Sequence, residues 1–392
     1  MREDMAEFES RRAFEHIDKL AYEIGPRLAG SRGDRLAAEY IGKQFENIGL
    51  KVRVQEFKFV SRSARSQVTA VVFTAAFILS LFLSPESSLP SWLVVLVLWR
   101  SLSKLMPKQT SQNIIASREV EVPKKKLALT AHYDSAPCTV SFRLSIFIRF
   151  TFLPAVTLIT IMLVLRALGL IHAWPIVWSP LAVFFLPVCA ASFIAASSRR
   201  VSPGAEDNAS GVAVMLESAR VLAEQPPPET SIFFIAFGAE EQGLLGSKKL
   251  AEESLLPEGT LVLNLDMVGA GTHPYVIEGN GLLRRTRTSE SLNQKLLGVI
   301  SGLGLKPRLW WAALAAHDHI PLLHSGIQAT TFTFDTSGVD RLGRRIARIF
   351  RLPNARLRGY RYLHSCDDLP DHISVDNIER AGIIVLEFLK AI

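Results

Sequence analysis

The sequence predicts an α/β fold: a mixed, mostly parallel central sheet flanked by helices, with two transmembrane helical hairpins inserted into it. Three observations predict it. Short runs rich in Val, Ile, Leu, Phe and Thr recur at Lys126–Ala131, Ser231–Phe237, Thr260–Leu265 and Gln328–Phe334, without the polar alternation of a sheet that has one wet face. Helical segments near Asn208–Ala223, Gly243–Leu255, Glu290–Leu303 and Val375–Leu389 intervene or follow, the order expected of a sheet covered by helices. Two strongly apolar blocks interrupt this alternation, and the excess behind the 48% hydrophobic content and the mean hydropathy of +0.22 is concentrated in them.

Taken in order, the stretches from about Glu7 to Ile24 and from about Arg32 to Ile48 place apolar residues at helical period. The Gly/Pro/Ser-rich turn Gly25–Gly33 separates them, so they read as two amphipathic helices. Lys51–Phe59 alternates strictly and predicts a half-buried strand, with Ser111–Val120 as its partner. Between those strands lies an uncharged apolar run of sixteen residues, Val68–Leu83, then a polar turn and a second run, Leu89–Trp99. The first is slightly short for a membrane span, so a re-entrant or buried hairpin competes with a spanning one. Phe150–Leu165 and Ala173–Ala196 form a clearer pair, interrupted only by Arg166 and His172. The division expected is one α/β domain from residues 1–60, 110–142 and 199–392, with hairpin insertions at 66–106 and 144–198.

Charge gives an orientation. Arg62, Arg65, Arg100, Lys104, Lys108, Arg143, Arg149, Arg199 and Arg200 flank the outer ends of the apolar runs, whereas the tips carry Glu86, Arg166 and His172. The positive-inside rule then puts the tips outside and the rest in the cytoplasm, as an integral membrane protein in contact with lipid. The N-terminus has no apolar signal region, and three scattered cysteines, Cys138, Cys189 and Cys366, suggest a reducing compartment rather than a disulfide framework. The net charge of +7 comes with no nucleic-acid-binding motif, so no nucleic-acid partner is expected. Eight arginines between Val339 and Arg361, interleaved with Leu342, Ile346, Ile349, Phe350 and Leu352, read either as a solvated loop or as a basic helix resting on anionic headgroups.

Acidic and imidazole side chains cluster at the ends of the apolar strands, where open α/β sheets hold ligands. His132, Tyr133 and Asp134 follow the first strand, Glu240 and Glu241 the second, and Asp266 the third. His364 stands before the last helix. Asp207 sits in the small-residue turn GAEDNASG ahead of an apolar helix. Singly, each is more simply a helix cap or a solvated rim residue. Together they place carboxylates beside apolar walls, where a divalent cation would neutralise them.

The series HYD, GAEDNASG, GAEEQGLLGS, NLDMVG and YLHSCDDL, in that order, resembles the M28 family of zinc aminopeptidases over residues 1 to about 60 and 110–392, outside the insertions. The resemblance implies a zinc-exopeptidase-like fold and two Zn2+ per chain. One would be held by His132, Asp207 and Asp266 and the other by Asp207, Glu241 and His364, with Asp207 bridging. Glu240 falls on the general base and Asp134 on the carboxylate that orients His132. The implied activity is an aminopeptidase acting on peptide substrates, and the apolar insertions make it a membrane-anchored one. The alternatives are a glutaminyl cyclase-like acyltransferase with one zinc and a non-catalytic binding protein on the same fold. Two departures stand out. Leu363 occupies the position where the family motif often has Tyr, with Tyr362 and Tyr360 nearby, and His317 replaces Ser in the segment Ala316-His317-Asp318-His319. Asp318 then reads as a helix cap or supporting carboxylate, and the extra histidines as structural or pocket-lining.

Overall fold

The structure is a computed structural model describing residues 7–138, 142–171, 174–197, 200–335, 348–352, 355–356 and 360–392. The chain divides into two compact units. One comprises Met1–Phe57, Thr110–Pro137 and Val201–Ile392, and the other Lys58–Gln109 and Cys138–Arg200.

The first unit opens with α1 (Ser10–Asp18), continued by a wider turn over Lys19–Ile24, and α2 (Arg32–Asn47), started by Ser31, whose side chain accepts from the Asp34 amide. Then come β1 (Lys51–Val60), β2 (Lys108–Arg118) and β3 (Lys125–His132). In the second unit are α3 (Arg62–Phe82), α4 (Pro85–Leu105), α5 (Phe142–Ala167) and α6 (Trp174–Ala196). The first unit resumes with α7 (Ser210–Glu224), β4 (Thr230–Phe237), α8 (Leu245–Glu252), β5 (Leu261–Leu265), β6 (His273–Asn280) and β7 (Thr286–Arg287). It ends with α9 (Glu290–Gly302), β8 (Arg308–Ala312), α10 (His319–His324), β9 (Gln328–Asp335), β10 (Ala355–Arg356) and α11 (Val375–Ala391).

The strands form one sheet in the order β1-β2-β4-β3-β5-β9-β6-β8-β10, with β7 on β6. Its centre, β4-β3-β5-β9, is parallel throughout, and all eight residues of β4 are buried, as expected of strands covered on both faces. One face packs against α7, whose residues 210–222 are entirely buried, and Leu129, Val214, Leu263, Phe332 and Val385 meet in that core. Ile235, Phe237, Leu250 and Leu322 lie in a second core cluster. Register sets the site: His132 pairs with Phe237 and Ala131 with Leu265. The residues just past β4 and β5 therefore emerge level with the end of β3.

β6 and β8 were not expected from the sequence. Pro274 and Gly279 break the apolar run of β6, and β8 has only five residues; tertiary pairing holds them instead, with β6 running antiparallel to β9 and parallel to β8.

The second unit holds the four apolar helices. Phe73, Phe77, Trp92, Ile159, Leu163 and Phe185 are buried together. Trp92 Nε1 donates to Thr160 Oγ1 and Trp99 Nε1 to Thr69 Oγ1, each at 2.9 Å. Arg166 is buried and donates to the carbonyls of Ser80 and Leu83. Among the described residues only Arg62–Ser80 is long and apolar enough to cross a membrane by length and composition, and the apolar stretches Ser87–Trp99, Thr151–Ala167 and Leu181–Ala196 are shorter. The fold thus contains the helices, while the expectation of two transmembrane hairpins goes further than these lengths do. Residues 336–347, which carry much of the basic stretch, and His172 lie outside the described residues.

Candidate metal centre

Three parallel strands and two loops bring the ligand candidates together. His132 is the last residue of β3, Asp266 follows β5, and Glu240 and Glu241 follow β4 after Gly238 and Ala239. Asp207 comes from the irregular turn ahead of α7, and His364 from the turn before Pro370. His132 Nε2 is 3.1 Å from Asp207 Oδ1 and 3.9 Å from Asp266 Oδ1. His364 Nε2 is 3.3 Å from Asp207 Oδ2 and 3.2 Å from Glu241 Oε1. Asp207 thus turns one oxygen to each imidazole. In each set, His132/Asp207/Asp266 and Asp207/Glu241/His364, the ligand atoms lie within 4.8 Å of one another. Nitrogen and carboxylate donors in two threes, each leaving room for another ligand, fit zinc. Glu240 belongs to neither set.

The backbone around these side chains is held under constraint. Ala239, Met267 and His364 have φ of 56°, 57° and 52°, a left-handed conformation uncommon outside glycine. All three are at, or next to, a candidate site residue, where surrounding contacts must offset the cost. Gly204, with φ 62°, could not carry a Cβ, which would fall 2.5 Å from Asp207 O and 2.9 Å from an Arg27 nitrogen.

Those contacts are hydrogen bonds to main chain. Asp134 is wholly buried, and its Oδ1 and Oδ2 accept the amides of Glu240 and Glu241 at 2.9 and 3.2 Å. The His132 ring is oriented by the Asp134 carbonyl, 3.2 Å from Nδ1, while the Asp134 carboxylate stays 3.7 Å away. Nδ1 must donate to that carbonyl, so Nε2 is the nitrogen that faces Asp207 and Asp266. Asp368 accepts the amides of Glu206 and Asp207, and Glu206 accepts those of Gly269 and Ala270. Asn208 joins the Asp207 turn to the end of β5: its Oδ1 accepts from Met267 N and Gly211 N, and its Nδ2 donates to Leu265 O. Arg27 donates to the carbonyls of Tyr133, Pro203 and Gly204.

The electrostatics follow from burial of many acids in one place. Burial opposes protonation of His132, but Asp134, Asp207 and Asp266 outweigh it and raise its pKa well above the usual value. Burial likewise opposes protonation of His364, yet Glu241 and Asp207 raise its pKa. Burial favours a neutral Asp207, and the two imidazoles overcome it and hold its carboxyl low. Glu240 is pushed up, by burial first, with His132 opposing and Glu241, Asp318 and Asp266 adding to the rise.

The structure therefore brings together His132, Asp207, Glu241, Asp266 and His364, with Glu240 and Asp134 beside them. No role for Arg27, Glu206 or Asp368 follows from the sequence alone, and Asn208 stands out there only as the neighbour of Asp207. Asn208 and Glu206 flank Asp207 in the quoted motif, a signal that was there to use; Arg27 lies far from any site residue in sequence and left none. His317, read as structural or pocket-lining, lies at the rim of the ligand set, its Nε2 3.8 Å from Asp266 Oδ2. Both carboxylate oxygens of Asp318 are buried, and burial pushes its carboxyl up to about 7, with His132 and the Ser247 hydroxyl opposing the rise. The cysteine reading needs correction. Cys138 and Cys366 are disulfide-bonded, and only Cys189 is free. A disulfide suits an oxidising compartment, which counts against the reducing compartment expected from the scattered cysteines.

Comparison with known proteins gives consistent matches. The profile of peptidase family M28 matches residues 193–389. Aminopeptidase YwaD of Bacillus subtilis is 32% identical over 196 residues, covering 47% of this chain and 36% of that protein. A probable zinc metalloprotease of Pyrenophora tritici-repentis is 53% identical over 70 residues, 17% of this chain and 16% of its own. The chain thus spans about a third or less of the length of these curated relatives. Among solved structures, the zinc aminopeptidase BSAP of Bacillus subtilis has a TM-score of 0.59 at 20% identity, covering 99% of this chain and 96% of that one. A glutaminyl cyclase of Porphyromonas gingivalis has a TM-score of 0.60 at 16% identity, covering 98% of each. At such identities the likeness is one of fold.

Proposed function

The chain belongs to peptidase family M28, and from that premise we propose that it is a zinc-dependent aminopeptidase removing N-terminal residues from peptides. His132, Asp207 and Asp266 would hold one zinc, and Asp207, Glu241 and His364 a second. The observation that carries this reading is the division of Asp207 between two imidazoles, Oδ1 toward His132 and Oδ2 toward His364. Zinc bound there supplies Lewis acidity, which polarises a carbonyl and lets water ionise near neutral pH.

The chain's own groups do the rest. Asp134 fixes the Glu240 and Glu241 amides, so one glutamate faces the ligand set while its neighbour stays free of it. Glu240 takes the proton of the attacking water onto a carboxylate oxygen and delivers it to the departing amine nitrogen. Burial that raises its pKa suits a group that must both accept and return a proton.

Metal analysis with aminoacyl p-nitroanilides tests the reading. Wild-type protein should carry two zinc ions per chain and lose turnover to a chelator. Glu240→Ala should retain the metal while turnover falls on the order of 10²- to 10⁴-fold. Full activity in that variant removes Glu240 from the mechanism, and a single zinc with ammonia release from N-terminal glutamine points to the cyclase chemistry instead.

We further propose that the four-helix unit anchors the protein in a membrane. By length alone α3, α4, α5 and α6, at 21, 21, 26 and 23 residues, reach across roughly 30 Å of hydrocarbon at 1.5 Å per residue, while among the described residues only Arg62–Ser80 is also apolar enough to do so. Val71, Leu79, Phe82, Val97, Leu153, Val183 and Ile194 are each about half exposed or more, large apolar side chains on all four helices that lipid would cover. Release of the full chain from membranes by alkaline carbonate would count against the anchor. Labelling of engineered surface cysteines in sealed vesicles would give the side on which the α/β unit lies.

A further inference from the structure

On the aminopeptidase reading, attack on the peptide bond puts negative charge on its carbonyl oxygen, and a donor already aimed at that oxygen stabilises the charge. The residue before His364 is Leu363, whose side chain has no donor, and the Tyr362 ring is stacked on His372 with centroids 4.1 Å apart. A donor reaches the centre from another part of the sheet. His317, in the connection between β8 and α10, is buried with its Nε2 3.8 Å from Asp266 Oδ2.

The other ring nitrogen decides where the proton sits. Asn280 Nδ2 lies 2.9 Å from Ala315 O and 2.8 Å from His317 Nδ1. A carbonyl oxygen only accepts, so the amide atom facing Ala315 must be nitrogen; turning the amide over would set two oxygens against each other. That same nitrogen has no lone pair to offer, so it donates to His317 Nδ1 too. Nδ1 is therefore an acceptor, and the neutral ring carries its proton on Nε2, the nitrogen facing Asp266.

The pair is rigidly placed. Asn280 closes β6 in register with Ala312 of β8. The His317 ring lies nearly parallel to that of His319, 12° between planes and 5.6 Å between centroids, and His319 Nδ1 is 2.6 Å from Thr331 Oγ1 on β9.

We propose that His317 is a catalytic residue whose Nε2–H donates to the carbonyl oxygen of the scissile bond as that oxygen becomes negative. Asn280 is then a positioning residue that selects the tautomer. This rests on the aminopeptidase reading and adds to it. His317 transfers no proton: the hydrogen bond strengthens as charge grows on the oxygen and relaxes when the carbonyl re-forms.

The experiment uses full-length, zinc-loaded protein in detergent, comparing wild type, His317→Ala and His317→Gln. In His317→Ala, kcat should fall on the order of 10²-fold with KM within about threefold of wild type, the pattern of a bond made only in the transition state. Zinc per chain should be unchanged. Affinity for a 1-aminoalkyl boronic acid, which becomes tetrahedral on binding, should fall in parallel, while inhibition by the free amino acid stays the same. His317→Gln, which keeps an N–H donor, should regain part of the loss in both kcat and boronic acid affinity. The proposal is overturned if kcat in His317→Ala stays within about threefold of wild type, or if KM rises with kcat unchanged. Loss of zinc in that variant also overturns it, by making His317 a metal-holding residue. A zinc-loaded wild type that cleaves no aminoacyl substrate removes both this proposal and the reading beneath it; an active wild type matched by His317→Ala removes only the donor.

Discussion

Arg27 shows how a residue far from the chemistry can govern it. Its side chain is fully buried and donates to five backbone carbonyls, those of Leu20, Gly25, Tyr133, Pro203 and Gly204. Burial lowers its pKa to about 10, against the pull of Asp368, Asp134 and Asp207; even so it remains charged at neutral pH. Lysine has only three donors, so Arg27→Lys would leave at least two of these carbonyls without a partner, at roughly 1–3 kcal/mol each. The variant should unfold at lower urea than wild type and retain less zinc, because three of the five carbonyls, those of Tyr133, Pro203 and Gly204, belong to the strand end after His132 and the turn before Asp207. An unchanged midpoint and full zinc content would show that these bonds add nothing. Nothing near Arg27 in the sequence marks this role, since its partners lie up to 177 positions away. The ligand positions were legible for the opposite reason. His132 closes an apolar strand, Asp266 directly follows one, and Glu241 lies four residues past the end of a third, a local pattern that needs no knowledge of distant contacts. Asn208, Glu206 and Asp368 lay in view but work through bonds to main chain that no spacing encodes.

At the scale of elements, legibility tracked how far each segment decides its own structure. The buried parallel strands β3, β4, β5 and β9 were visible because a strand covered on both faces must be apolar along its length. β6 and β8 were not: HPYVIEGN contains a proline and a glycine, and RLWWA is too short to show a period. Their pairing with β9 and with each other makes them strands. This omission had a functional cost, because the end of β6 carries Asn280 and the chain beyond β8 carries His317. The missing strands are thus the ones that position the imidazole read earlier as pocket lining. The apolar helices were legible as helices and ambiguous as spans. Length and hydropathy separate these two outcomes only weakly when Arg166 lies buried among the helices, its charge answered by the Ser80 and Leu83 carbonyls.

Over the whole molecule, the site is a consequence of register, so anything that loosens the α/β unit should reach the metal centre. One buried histidine outside the centre makes that coupling measurable. His16 on α1 is 8% exposed, and its Nδ1 lies 2.6 Å from Tyr40 Oη on α2. Burial, with Arg12 adding to it, lowers its pKa from 6.5 to about 4. The sign follows from proton counting. Above pH 6.5 the ring is neutral in both states and contributes no pH dependence. As pH falls from 6.5 toward 4, the unfolded chain gains a proton that the folded chain refuses, so stability is lost across that window. The gap corresponds to about 3 kcal/mol at most, reached near the folded value and small at pH 6. His16→Asn removes the titration. Both proteins should therefore lose stability on acidification through their carboxylates, but the wild type should lose more between pH 6.5 and 4.5, when urea midpoints are compared with the metal present. Parallel curves for the two proteins over that range would mean that the ring accepts a proton without leaving its place between α1 and α2. Steeper loss in the wild type, accompanied by release of zinc at the same pH, would show that the packing of α1 against the core and the closure of the ligand set are one cooperative transition.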